Sequence, residues 1–258
     1  MSSTQGVEQA ATTLVSRRIA GGQGDVLCTD HRPSDNEQAF TIQTEVSRQW
    51  CEQVNDSIGG WKCLQPIDGR WVVAPIFTST INTIPPIPVW PTKQVSRIEP
   101  ELAFYFAHDL AVRDEPYLAH EVDAAISRTH MALELIYNRH ADPTQCTHFD
   151  NLADGLVNQG LFVGPQVDTE HAIQASQFEI TVSYKEHTQT YEGKHPNGLP
   201  RTPLYWLVEF LRQQGMGIQA GQVVITGSYA GVIDVPLDTE IKLEYQGLGE
   251  MQVRFISK

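Results

Sequence analysis

The segment Arg97-Ile98-Glu99-Pro100-Glu101 puts two carboxylates two residues apart. In an extended strand, residues i and i+2 face the same side. Pro100 biases Glu99 towards extended backbone and, lacking an N–H, suits a strand edge or a first strand position. The two carboxylates should therefore project side by side. Like charges that close repel, and a bound cation is one way to make the arrangement favourable. All-oxygen ligation suits Mg²⁺ or Mn²⁺ better than zinc. The spacing also fits a solvated acidic pair on a surface strand, because charged pairs usually sit in water. Against that, the apolar run Leu102-Ala103-Phe104-Tyr105-Phe106 follows at once and would draw the pair inwards.

A third carboxylate, Glu134, lies within Met131-Ala132-Leu133-Glu134-Leu135-Ile136. A lone Glu among apolar strand residues is unusual, since charge is rarely buried unpaired. Its alternative is the solvent face of an amphipathic strand. Together with Glu99 and Glu101 it would make a three-carboxylate site, leaving coordination positions open for a chelating substrate.

Such a site needs elements to hold it. Val7, Ala10, Ala11, Leu14, Val15 and Ile19 predict a helix over 5–20, stopped at Gly21-Gly22. Phe40, Ile42, Val46, Trp50 and Val54 predict a second over 37–57. Strands follow at Gly59–Leu64 and 71–77. The proline-rich stretch 82–92 reads as a connection between a small N-terminal region, 1–80, and a main domain, 81–258. Beyond 97 the chain reads mainly as strands, with a helix-like stretch at Glu121–His130 and a strand at Ala132–Tyr137. Residues 178–184 alternate as a half-buried strand. Thr202-Pro203 reads as a helix start with Thr202 as N-cap, ended by Gly215 and Gly217. Residues 223–225 form a short strand, and 241–245 with 251–255 form a hairpin turned at Gln246–Gly249. No internal repeat is visible. The pattern predicts a β-rich α+β fold.

Composition sets the class of partner. The chain has 258 residues, 41% hydrophobic and 19% charged, enough for a full apolar core. A net charge of −13 argues against non-specific binding to nucleic acid or an anionic membrane. Cys28, Cys51, Cys63 and Cys146 form no C-x-x-C pair, so neither a zinc site nor a disulfide framework is expected. No signal peptide is read in Met1–Glu8, and no apolar run spans a bilayer. A cytoplasmic protein is expected.

Several ordered segments resemble the fumarylacetoacetate hydrolase superfamily, in particular its 2-keto-4-pentenoate hydratase and 4-oxalocrotonate decarboxylase branch. Gly60-Trp61-Lys62 resembles its Gly-(Trp/Phe)-Lys, and Ile98–Phe104 its metal motif. Ala132-Leu133-Glu134-Leu135-Ile136 with Arg139 resembles Ala-Leu-Glu-Ile-Val-Asp-Ser-Arg. Asp154–Gly164, Ala220–Ser228 and Gly247–Phe255 resemble three further segments. The resemblance implies a mixed β-roll-like core with a smaller N-terminal α/β region. It implies Mg²⁺ or Mn²⁺ held by Glu99, Glu101 and Glu134, and a small 2-oxo or 2-hydroxydienoic acid substrate. It also implies a homo-oligomer, with pairing to a related decarboxylase as a property of the branch.

The same resemblance makes Lys62 the candidate acid–base or electrostatic group, where a lone Lys would otherwise be solvated. Thr226, Gly227 and Ser228 would offer donors to the substrate carboxylate, although a strand-to-loop turn alone would explain Gly227. Asp154 is either a second acid–base group or a loop carboxylate. His108, His130 and His140 show no metal-binding spacing, and His195 is a candidate lid residue. Cys63-Leu64-Gln65-Pro66, Tyr137-Asn138 and Phe77-Thr78-Ser79-Thr80 depart from the family pattern close to the expected pocket. The expected reaction is hydration of a 2-hydroxy-2,4-dienoate to a 4-hydroxy-2-oxo acid in aromatic-compound degradation. The alternatives are decarboxylation of a 2-oxo-3-enedioate, hydrolysis of an acylpyruvate, and a non-catalytic 2-oxo-acid-binding partner subunit.

Overall fold

The computed structural model describes residues 4–258. Two helices open it, α1 (Thr4–Ala20) and α2 (Asn36–Val54). Ala10, Ala11, Leu14 and Val15 of the first, and Phe40, Ile42 and Val46 of the second, are buried as their spacing requires. The Asp35 side chain accepts from Gln38 N–H and satisfies one of the donors left free at the start of α2.

Strands β1 (Ile58–Ile67), β2 (Arg70–Phe77), β3 (Ile81–Asn82), β4 (Ile87–Val89) and β5 (Val95–Phe106) follow. Helix α3 (Ala119–Ala125) then runs directly into β6 (Ile126–Ile136). The helix expected over Glu121–His130 therefore ends at Ala125. Arg128, Thr129 and His130 pair with Tyr105, Phe104 and Ala103 of β5 instead. Pairing with a long partner strand, helped by β-branched Ile126 and Thr129, overrides the local pattern.

Next come α4 (His148–Ala153), β7 (Asn158–Val167), α5 (Thr169–Ala172), β8 (Gln177–Tyr184) and β9 (His187–Lys194). Helix α6 (Thr202–Gln213) has Arg201, not Thr202, at its N-cap. The preceding turn is already wound, with Thr202 N–H donating to Leu199 O, so the helix starts one residue early. Strands β10 (Val223–Ile225), β11 (Ile233–Pro236), β12 (Ile241–Tyr245), β13 (Gly249–Val253) and β14 (Phe255–Ser257) complete the chain.

Eight strands form one mixed, curled sheet in the order β2-β1-β10-β5-β6-β7-β3, with β11 also on β5. A second sheet, β13-β12-β8-β9, contains the expected hairpin. The large sheet buries both faces. Leu102, Phe104, Phe106, Leu133 and Phe162 join the main core with the helices and the second sheet. On the opposite face Ile76, Ala103, Ala132, Leu161, Val163, Val223 and Ile225 form a smaller core inside the curl. Residue 80 falls within this single sheet, because β1 and β2 precede it and β3 follows it. Among the described residues, no helix is long and apolar enough to cross a membrane.

Candidate metal centre and pocket

Strand β5 is bordered by β10 along Ala103–Tyr105 and by β11 along Val95–Ile98. Between them Pro100 has no ladder partner on that side, so its missing N–H breaks no bond. The segment linking β10 to β11 fills the opening. Tyr229 N–H donates to Pro100 O at 3.0 Å, and Gly227 N–H donates to Glu101 Oε2 at 2.6 Å. Gly227 has φ +118°, and a Cβ there would overlap Leu64 Cδ2. Only glycine brings this N–H onto the carboxylate without strain.

Alternation along β5 puts Glu99 and Glu101 on the inner face of the curl, and β6 places Glu134 directly opposite Glu99. One oxygen from each of the three carboxylates lies within 4.8 Å of the others. Glu101 and Glu134 are fully buried and Glu99 half-buried. The solvated readings of the acidic pair and of Glu134 therefore do not hold.

Lys62 of β1 reaches the same point. Its Nζ donates to Glu134 Oε1 and Oε2 at 2.6 and 2.7 Å and lies 3.4 Å from Leu156 O. Asn158 Nδ2 donates to Glu134 Oε1 at 2.8 Å. Burial first, then the charges of Glu134 and Glu99, pushes the Glu101 carboxyl well above its ordinary range. Burial and Glu134 push Glu99 up to about 7, against the pull of Lys62. Burial opposes charge on Lys62, but Glu134 and Glu99 outweigh it and hold the ammonium above its ordinary value. Two carboxylates resisting ionisation beside a third fit a divalent-cation site, where the cation would supply the positive charge that lets all three ionise. All-oxygen donors fit Mg²⁺ or Mn²⁺.

A pocket of about 340 Å³ opens over these groups. Its walls include Leu64, Val72, Leu156 and Pro196, with Gly227, Ser228 and Gly231 on one side. Lys62 is the one cation among its lining residues. Cys63 also borders it, but its thiol belongs to the main core and donates to Pro203 O, and burial and Glu101 push its pKa well up, so it stays protonated.

The remaining expected site residues separate. Ser228 faces the pocket, and its Oγ donates to Gly231 O at 3.1 Å. The Gly227 N–H is committed to Glu101. Thr226 is buried and its hydroxyl meets His195 Nε2 at 3.4 Å. Asp154 lies outside the pocket lining. Both its oxygens accept from Arg139 Nε, at 3.0 and 2.8 Å, and both partners are buried. Arg139 and Arg18 also donate to the carbonyls of Asp154 and Asn158. Asp154 thus anchors the turn that carries Leu156 and Asn158 to the site.

His195 is no exposed lid. It is 1% exposed, its Nδ1 accepts from Asn197 N–H, and its ring packs edge-on against Tyr229. Burial lowers its pKa to about 4. Sequence reasoning missed Asn158, the Gly227 N–H as a carboxylate donor, and the apolar wall. The position of Asn158 four residues after Asp154, entering a strand, was the one available signal for the first.

No protein-family model matches the chain. Over 162 residues, 62% of this chain, it is 22% identical to 2-keto-4-pentenoate hydratase of Paraburkholderia xenovorans (strain LB400), and the match spans 59% of that protein's length. The structure of 4-oxalocrotonate decarboxylase from Pseudomonas putida G7, complexed with calcium and acetate, aligns with TM-score 0.80 at 18% identity over 98% of both chains. The same protein complexed with magnesium and adipate gives a TM-score of 0.76. A Yersinia pestis CO92 protein assigned to the fumarylacetoacetate hydrolase family gives 0.54 at 16% identity, over 78% of this chain and 94% of that one.

Proposed function

We propose that this chain, which has the fold of the fumarylacetoacetate hydrolase superfamily, is a Mg²⁺- or Mn²⁺-dependent hydratase. Its substrate would be a 2-hydroxy-2,4-dienoate of the 2-keto-4-pentenoate type, and its product a 4-hydroxy-2-oxo acid. The observation that carries this reading is the convergence of Glu99, Glu101 and Glu134 beneath the Lys62 ammonium, in an otherwise apolar-walled pocket. The decarboxylase neighbour is complexed with a divalent cation and a carboxylic acid, which supports the same pairing of ligands here.

When bound, the cation supplies Lewis-acid polarisation of the substrate's carboxylate and 2-oxygen. The chain's own residues do the rest. Ser228 Oγ would turn its hydroxyl from Gly231 O to the substrate carboxylate. Leu64, Val72, Leu156 and Pro196 keep bulk water from the diene. In net terms the 2-hydroxyl loses a proton and C5 gains one, leaving a 2-oxo-3-enoate. Water then adds its oxygen to C4 and a proton to C3. Lys62 starts as an ammonium, so it acts as a proton donor and as a positive charge beside the developing oxyanion. Charge neutralisation of the three glutamates would lower its pKa and let it take the proton back.

Decarboxylation of a 2-oxo-3-enedioate is favoured by one observation, the 0.80 TM-score with a decarboxylase. An enedioate carries a second carboxylate, and Lys62 is the pocket's single lining cation, already on Glu134. A monocarboxylate with an apolar tail fits this lining better. We place the enzyme in aromatic-compound degradation in the cytoplasm, as a homo-oligomer open to pairing with a related decarboxylase. The four unpaired cysteines support that compartment.

The test uses purified protein with Mg²⁺. Ultraviolet loss of 2-hydroxypenta-2,4-dienoate without CO₂ release supports hydration. CO₂ release from 4-oxalocrotonate supports the second reading. Silence with both, despite metal binding, would remove catalysis from the account.

A further inference from the structure

The turn that carries Leu156 and Asn158 to the site is left-handed. Gly155, Leu156 and Val157 have φ of +80°, +53° and +59°. Asn158 N–H donates to Gly155 O at 3.1 Å and closes a turn whose two central residues both have positive φ. Such a turn favours Asn-Gly, whereas Leu156-Val157 occupies it here. Left-handed backbone costs an L-residue free energy, and a β-branched residue such as Val157 is a true outlier there. Strain of this kind persists only where the surroundings over-determine the conformation.

Two arginines grip both ends of the left-handed stretch. Asp154 O accepts from Arg18 Nη2 at 2.8 Å and from Arg139 Nη2 at 2.7 Å. Asn158 O accepts from Arg18 Nη1 at 3.2 Å and from Arg139 Nη1 at 2.9 Å. Arg139 Nε also takes the Asp154 carboxylate, so Arg18 makes its bonds to main-chain oxygens alone. Arg18 belongs to α1, and its guanidinium lies 6.0 Å from the Trp50 ring of α2 and 5.4 Å from the Phe77 ring of β2. Those two rings stack on each other. A Cβ at Gly155 would come 3.0 Å from Arg18 Nη2, so glycine lets the guanidinium close on the turn. Burial and Arg139 draw the Arg18 pKa down to about 9, which leaves it charged at neutral pH. Arg139 is bonded to the turn through its own ion pair, whereas Arg18 ties the turn to α1, α2 and β2.

We propose that Arg18 is a positioning residue of the site: from α1 it holds the strained turn so that Leu156 O faces Lys62 Nζ and the Asn158 side-chain amide meets Glu134 Oε1. Arg18 lies outside the pocket lining and touches no reacting group. The two groups it places bond the two halves of the Lys62–Glu134 pair, so a turn that relaxes releases both. The consequences for metal and turnover rest on the reading of this pocket as a metal-dependent active site; the hold on the turn does not.

The experiment compares the full chain as wild type, Arg18→Met, Val157→Gly and the double variant. Met keeps an apolar stem against Trp50 and Phe77 and removes the donors. In Arg18→Met the Asn158 backbone amide should exchange hydrogen about tenfold faster, measured against the slowest core amides. Mn²⁺ affinity should fall about tenfold, and kcat about tenfold with KM within about twofold. Adding Val157→Gly should recover most of each loss, because glycine takes positive φ without strain. A side chain that only docked α1 would gain nothing from a glycine in the turn. If Arg18→Met does not fold, Arg18→Lys replaces it, since a lysine keeps the charge but cannot span both carbonyls. The strain itself is read from Val157→Gly against Val157→Ala, where the glycine variant should melt about 1–4 °C higher. Wild-type exchange at Asn158 in the Arg18 variant, a double variant no better than the single one, or an alanine variant that melts as high as the glycine one would each overturn the proposal. Wild type without Mn²⁺ affinity would sink the metal-site reading instead, and the exchange comparison would still decide this one.

Discussion

Glu99 and Glu134 stand directly opposite each other across the antiparallel pair β5–β6, on the buried inner face of one sheet. Opposed like charges destabilise a sheet, and Glu101, two residues along, adds a third carboxylate to the same face. Lys62 and Asn158 both bond Glu134, and the Gly227 N–H bonds Glu101. Glu99 and Glu101 keep raised pKa values even so. The arrangement makes physical sense as a cation site.

Lys62→Met separates chemistry from metal holding. Mn²⁺ affinity should be kept or improved, since a competing positive charge is removed. The kcat should fall about 10²- to 10⁴-fold with a small change in KM. Without metal the variant should also melt earlier than wild type, because Glu134 loses its ion pair, and Mg²⁺ should restore much of the difference. Steady-state kinetics and melts with and without Mg²⁺ read all three.

Asp154→Asn tests the reassignment of that residue from chemistry to support. Breaking a buried ion pair costs about 3–5 kcal/mol of stability. Urea unfolding should show that loss, while kcat per folded molecule stays within a few-fold of wild type. Unchanged stability with a thousandfold lower kcat would return Asp154 to the reaction.

The parts of this site legible in the sequence are those set by local alternation. Glu99-Pro100-Glu101 reads as a same-face pair because a strand repeats every two residues, and the structure keeps that geometry. The meeting of Lys62 with Glu134 is different, since 72 residues separate them and the contact depends on β1 pairing with β10. Nothing local in Gly60-Trp61-Lys62 specifies that register, so Lys62 was found through family resemblance. Asp154 lies at the other extreme. The sequence leaves a second acid–base group and a loop carboxylate equally open there, and the buried ion pair with Arg139 that bears on the choice is visible only in the tertiary fold. The strand from Ile126 was hidden by a local pattern that pairing with β5 overrode.

His195 gives a pH dependence. Its folded-state pKa is about 4, below the ordinary 6.5, because burial favours the neutral ring. Its contribution to stability is complete above pH 6.5 and is lost as pH falls through 4. That contribution is on the order of 3 kcal/mol. Urea unfolding between pH 7 and pH 4 should show a shallower acid loss in His195→Gln than in wild type. Parallel profiles would mean the ring is accessible to solvent and that the wall it supports is mobile.

The central claim is that Glu99, Glu101 and Glu134 together hold a divalent cation. Calorimetric titration of Mn²⁺ into wild type and Glu101→Ala, with both checked for folding by circular dichroism, tests it most directly. The account predicts one site in wild type, with proton release on binding, and affinity at least about a hundredfold weaker in the variant. Equal Mn²⁺ affinity in the two proteins would contradict it.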